Sequence, residues 1–185
     1  RIAAMLSGDE KLTEIFKNKL DVHTAVAAQV FKVPLAEVTK DMRRSAKTIN
    51  FGVLFGMGVN ALKAGIGGTR EEAQMFYKDY FETYTKLAEY LNDTKAFALK
   101  NGYTETMYGR RRYFEGIKSK LPFIRAAAER MAINHPVQGT EADLIKLAMG
   151  RIDSYLKERG ASEEAHLLMQ VHDELVYEIK KSRVP

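Results

Sequence analysis

The sequence predicts an α/β mixed, predominantly helical (α+β) chain, and three observations predict it. Apolar residues recur at helical spacing over most of the length, punctuated by helix start and stop signals. One stretch, from about Phe123 to Gly160, reads as a single long helix. Strand patterns occupy only two places, Tyr103 to Phe114 and His166 to Ile179.

In chain order, the stretch to about Lys32 reads as helices broken near Ser7-Gly8-Asp9 and Asp21. Pro34 suits the first turn of a short helix, and Thr39 suits the cap of the next, which runs through Arg43 to about Phe55. Gly56, Gly58, Gly65, Gly67 and Gly68 are expected to loosen the chain. Thr69-Arg70-Glu71-Glu72 is a capping box opening a helix through Tyr90, and a second helix stops at Asn101-Gly102. Tyr103 to Phe114 turns strand-like and aromatic around Gly109 and the run Arg110-Arg111-Arg112. The long helix carries Pro136, where a kink is expected. Two apolar strands around His172-Asp173-Glu174 close as a hairpin.

Composition narrows the function classes. The 185 residues are 45% hydrophobic, a globular proportion, and carry a net charge of +5. That charge permits a polyanionic partner without demanding one. Cysteine is absent, which removes disulfides, thiol nucleophiles and thiolate metal sites and fits a reducing compartment. No apolar run approaches the roughly 20 residues that span a bilayer, and the N-terminus lacks the plan of a signal peptide. The chain opens and closes inside its own elements, so it is expected to be a piece of a longer protein.

The helix after Thr39 is the most informative segment. Arg43, Lys47, Phe51 and Phe55 recur every four residues and share one stripe. The cations lie towards the helix N-terminus, where the macrodipole favours negative charge, and the aromatics lie beyond them. A triphosphate on the basic half, with sugar and base on the aromatic half, matches that order. An ordinary amphipathic helix, with Phe51 and Phe55 in a core, fits the spacing as well. His172-Asp173-Glu174 places adjacent carboxylates at a hairpin tip, a hard-oxygen pair suited to Mg²⁺, although Asp is favoured in turns anyway. Arg110, Arg111 and Arg112 fit phosphate contacts or a solvated basic loop. Arg130, Asn134 and Gln138 fall at four-residue spacing, as minor-groove donors or as local caps. His23 fits a phosphate contact or a structural histidine, and His166 has no evident role.

Several of these runs resemble the motifs of family A (bacterial DNA polymerase I type) DNA polymerases. Arg43-Arg44-Ser45-Ala46-Lys47-Thr48-Ile49-Asn50-Phe51-Gly52 is similar to motif B, the fingers helix. Gln170-Val171-His172-Asp173-Glu174-Leu175 resembles motif C. Ile133 to Asp143 resembles the segment along the primer-template minor groove, and Arg1-Ile2-Ala3 the residues just after motif A. The order is collinear over nearly the whole chain.

The resemblance implies a palm segment at 1–20, fingers at 21–118, and a second palm segment at 119–185 with the long kinked helix and motif C. It implies that His23, Arg43 and Lys47 contact the incoming deoxynucleoside triphosphate, with Phe51 against its sugar and base and Phe55 stacking nearby. Asp173 would ligate catalytic Mg²⁺ with Glu174 in support. Arg130, Asn134, Gln138 and His172 would hold primer-template DNA, with Arg110, Arg111 and Arg112 as further phosphate contacts. The family's motif A supplies a second metal-binding Asp, and the sequence starts just past it. The isolated chain is therefore expected to be inactive and to need the remainder of the polymerase as partner. Phe55 stands where many relatives have Tyr. Replication or repair in the cytoplasm of a bacterium or phage host is the implied setting. The rival readings are a phage-type single-subunit RNA polymerase and a non-catalytic nucleic-acid-binding module.

Overall fold

The computed structural model describes residues 1–66 and 68–184. Gly67, among the glycines read as loosening the chain, lies outside the described residues. Three short helices open the chain: α1 (Ile2–Ser7), α2 (Glu10–Lys17) and α3 (Val22–Phe31). Their breaks fall where the sequence places them. Asp9 caps α2 by accepting from Leu12 N at 3.1 Å, and Asp21 caps α3 by accepting from Thr24 N at 2.8 Å. A 3₁₀ turn, Leu35–Glu37, follows Pro34 and leads to Thr39, whose hydroxyl accepts from Met42 N at 3.2 Å. That bond starts α4 (Lys40–Leu54).

The glycine-rich stretch departs from expectation. Val59–Ile66 forms a helix, α5, anchored by Leu62 in the core. Its glycine permits close approach rather than slack: a Cβ on Gly65 would meet Thr48 Cγ2 of α4 at 2.5 Å. The capping box at Thr69 and Glu72 opens α6 (Arg70–Thr83) as expected. The next break comes at Tyr84 rather than after Tyr90, and α7 runs Thr85–Asn101. Apolar spacing is continuous through that point, but Tyr84 is buried and the start of α7 is capped from a distance. Asp9 Oδ2 accepts from Leu87 N at 3.2 Å, so one buried carboxylate caps α2 and α7 together.

Gly102 closes α7 with φ +80°, and a small hairpin of β1 (Tyr103–Glu105) and β2 (Arg111–Tyr113) pairs Tyr103 with Tyr113. A long helix, α8 (Pro122–Glu158), then crosses the molecule. It continues through Pro136 without interruption. Proline leaves the carbonyl four residues earlier without its donor, and that carbonyl, Ala132 O, accepts from Thr104 Oγ1 at 3.4 Å. The last hairpin joins β3 (Ala165–Val171) to β4 (Glu174–Ile179), antiparallel, through the turn His172-Asp173.

The principal core gathers Val26 and Val30 of α3, Ala46, Ile49 and Val53 of α4, Leu62 of α5, Tyr80 and Leu87 of α6 and α7, and Ile133 of α8. A smaller core under the first hairpin holds Ala98, Phe114, Ile117, Ala128 and Ala132. The closing hairpin belongs to neither: Leu168, Met169 and Val171 are all exposed.

Candidate functional site

The buried stripe of α4 leaves a second stripe facing outwards. Arg43, Lys47 and Phe51 are exposed, Phe51 by 46%, and Phe55 is half-buried. Phe51 is thus not a core residue, which removes the ordinary amphipathic reading for the middle of this face. Its ring stacks on Phe55 (centroids 6.1 Å apart, planes at 13°), and Lys47 Nζ lies 6.0 Å from the Phe51 centroid. His23, delivered by the first turn of α3, sits 5.6 Å from Phe51. The structure therefore brings His23, Lys47, Phe51 and Phe55 into one patch, with Arg43 at the N-terminal end of the same helix face.

Two side chains that shape this patch carry no signal in the spacing. Buried Asn50 directs its amide nitrogen to His23 Nδ1 at 3.2 Å. With that nitrogen donating, Nδ1 accepts and the ring proton resides on Nε2. Burial pushes the His23 pKa down, Arg43 and Lys47 push the same way, and Asp21 opposes them. A neutral imidazole with an Nε2 donor results at neutral pH. The second is Asp21, which receives Arg43 Nε at 2.8 Å and Arg43 Nη2 at 3.0 Å. Those bonds hold the Asp21 carboxyl well below the usual carboxylate range.

The acidic turn is exposed throughout. His172 takes φ +52° and its carbonyl accepts from Gln170 Nε2 at 2.9 Å, while Asp173 and Glu174 are solvent-facing. Two carboxylates are the right chemistry for a hard cation. Among the described residues, however, no three His, Asp or Glu side chains gather into a metal-holding group. The residues present therefore do not complete a divalent-ion site, and a two-ion site requires at least one further carboxylate. No hydrogen bond or ion pair among the described residues joins this turn to the α4 face.

Along α8, Arg130 and Gln138 are exposed and Asn134 is half-buried, its Oδ1 buried and without a partner. All three arginines of the basic run are exposed, and each is also engaged by a neighbour. Arg110 donates to Asp143 Oδ1 at 2.8 Å and to Gly139 O at 3.0 Å. Arg111 pairs with Glu105 Oε1 at 2.6 Å and lies 4.6 Å over the Tyr103 ring. Arg112 reaches Met131 Sδ at 3.5 Å and lies 5.5 Å over Phe114. The bonds of Arg110 and Arg112, with Met107 N donating to Thr140 Oγ1 at 2.9 Å, dock this hairpin onto α8, whereas Arg111 ties its two strands together. His166 lines the cleft between α8 and the closing hairpin, beside Met149, Asp153 and Tyr177.

The sequence model described as DNA polymerase family A matches residues 1–185. The chain belongs to DNA polymerase family A. It is 47% identical over 184 residues to DNA polymerase I of Pseudomonas aeruginosa, covering 100% of this chain and 20% of that protein. It is 46% identical over 183 residues to the thermostable DNA polymerase I of Thermus aquaticus, covering 99% of this chain and 22% of that one. The chain thus spans about a fifth of the length of these family A relatives. The fold superposes on the POL domain of Pol1 from M. smegmatis, solved in complex with DNA primer-template and dNTP. That match has a TM-score of 0.92 and 39% identity, and covers 97% of this chain and 31% of that one. As in the reading from sequence, the family A fold here is mainly helical with small antiparallel hairpins. Among the described residues no helix is long and apolar enough to cross a membrane.

Proposed function

We propose that this chain supplies the nucleotide-binding fingers and one acidic corner of the palm of a template-directed DNA polymerase, acting in replication or repair. Residues 21–118 correspond to the fingers, and 1–20 and 119–185 to palm segments. The observation that carries the reading is the outward face of α4, where cations precede stacked aromatics and His23 stands beside them.

On that face Arg43 and Lys47 bind triphosphate oxygens, and His23 adds a neutral donor from Nε2. Phe51 offers its exposed ring to sugar and base, backed by Phe55. Holding the triphosphate in one orientation is the contribution these residues make to phosphoryl transfer, in which the primer 3′-oxygen attacks the α-phosphorus and pyrophosphate leaves. Arg130, Asn134 and Gln138, with His172 at the hairpin tip, contact the primer-template minor groove and primer end. Asp173 and Glu174 offer oxygens of the kind Mg²⁺ takes, as part of a larger set. Arg110 and Arg112 act first as the clasp between the small hairpin and α8, and Arg111 as a tie within the hairpin; all three touch DNA phosphates only with the donors their present partners leave over. The phage-type RNA polymerase reading has no support among the relatives, which are named DNA polymerase I.

A chimera tests this reading. These 185 residues, placed in the matching stretch of the Thermus aquaticus polymerase, should retain templated primer extension. Within it, Lys47→Ala should raise the dNTP KM by about tenfold or more, the loss of one charge-assisted phosphate contact. Asp173→Ala should reduce extension to background. A chimera that unfolds cooperatively and binds primer-template, yet ignores both substitutions, overturns the proposal.

A further inference from the structure

Resting on the nucleotide reading of α4, we infer that Asp21 is a positioning residue for the triphosphate, clamping Arg43 side-on and tying it to the helix that carries His23. The Asp21 carboxylate is fully engaged. Oδ2 accepts from Arg43 Nε at 2.8 Å, Thr24 N at 2.8 Å and Thr24 Oγ1 at 2.7 Å, and Oδ1 accepts from Arg43 Nη2 at 3.0 Å. The same group is therefore the N-cap of α3, two residues before His23, and the anchor of a guanidinium on α4.

The donor count shows why a clamp does not block the ligand. Arg43 carries five N–H groups and gives Asp21 one from Nε and one from Nη2. Both N–H groups of Nη1 and the second of Nη2 remain, an edge suited to phosphate oxygens. A free arginine loses rotamer freedom on being fixed, and here Asp21 has already fixed it. The clamp has a cost, because a carboxylate beside a triphosphate repels it. That repulsion is screened at an exposed site and offset by the guanidinium bonded to it, so pre-orientation wins. Asp21 stays ionised throughout the neutral range, since Arg43 and Thr24 hold it below the ordinary carboxylate values.

Asn separates the two duties of Asp21. It is as good an N-cap as Asp, so α3 keeps its start, but its amide nitrogen opposes a guanidinium donor and the bidentate clamp is lost. The experiment titrates dTTP into the 185-residue chain, following binding by NMR or calorimetry, for wild type, Asp21→Asn, Arg43→Ala and the double variant. Asp21→Asn should weaken dTTP about three- to tenfold, because the Asn amide oxygen still accepts one bond and only part of the rotamer freedom returns to Arg43. Its thermal unfolding should stay close to wild type. In the Arg43→Ala background, Asp21→Asn should add nothing, because the effect runs through Arg43. Unchanged or tighter binding by Asp21→Asn while Arg43→Ala weakens it overturns the positioning role. So does an equal Asp21→Asn loss with Arg43 absent. If the chain binds no dTTP, or Arg43→Ala leaves binding untouched, the nucleotide reading of α4 fails and this inference falls with it.

Discussion

Asp9 is 3% exposed and receives two backbone N–H groups, one from Leu12 and one from Leu87, which lies 78 residues from it in sequence. Its replacement by Ala leaves both donors buried and unpaired. We expect Asp9→Ala to cost about 2–4 kcal/mol in urea unfolding, the sum of a lost cap and a stranded N–H. Asp9→Asn keeps one acceptor and should cost less. His135 sets a different dependence. It is 5% exposed, its Nδ1 lies 3.0 Å from Thr104 Oγ1, and its Nε2 has no partner. Burial first, then Arg110 and Arg112, push its pKa down. A histidine lowered in the fold is protonated first in the unfolded chain, so stability falls as pH drops below the ordinary histidine value of about 6.5. His23 shares that direction. Urea midpoints between pH 7.5 and 5.5 should therefore decline, and His135→Gln should flatten the decline without abolishing it. The lowered carboxyls of Asp21 and Asp143 act in a lower window, their stabilisation being lost only as pH falls through the acid range. At this scale the sequence shows the stripe Arg43, Lys47, Phe51 and Phe55 because spacing is visible. Asp21 and Asn50 are not legible, because their partners lie 22 and 27 residues away.

Element boundaries were legible wherever the cap is local. Asp9, Asp21, Thr39 and the Thr69–Glu72 box all start helices where their own sequence neighbourhood says so. The break at Tyr84 has no local signal because its cap comes from Asp9, and α5 is hidden because Gly65, which reads as slack, is a contact point. The uninterrupted α8 has a remote cause too. Thr104 supplies the donor that Pro136 cannot, so Thr104→Val should strand Ala132 O and cost about 1–3 kcal/mol, while Thr104→Ser should be nearly silent. Gly56 tests how α4 seats on α8. It has φ +69°, and a Cβ there would meet Ile133 Cδ1 at 2.8 Å and Arg130 Cγ at 2.9 Å. Gly56→Ala should destabilise by about 1–3 kcal/mol and displace Arg130, which a reduced Tm reads directly.

Across the whole molecule, the residues proposed to hold a nucleotide are gathered and the acidic ones are not. His23, Lys47, Phe51 and Phe55 converge from α3 and α4, whereas Asp173 and Glu174 stand on an exposed hairpin with no third carboxylate nearby among the described residues. Purified alone with Mg²⁺ and a primed template, the 185-residue chain should show no processive extension. Gel analysis of the extended primer checks this. The family was legible because several motifs stand in order along the chain, and the overlap with family A relatives over their matching fifth bears that out. What spacing alone could not decide, whether Phe51 is core or surface, is a question of which face of α4 meets α3. The most direct test of the central claim is an NMR titration of the chain with dTTP, observing the histidine and phenylalanine ring protons. The account predicts that His23, Phe51 and Phe55 shift together and saturate, with His135 and Phe114 unmoved. No shift in that trio, or shifts confined to the region of Arg110, Arg111 and Arg112, would contradict it.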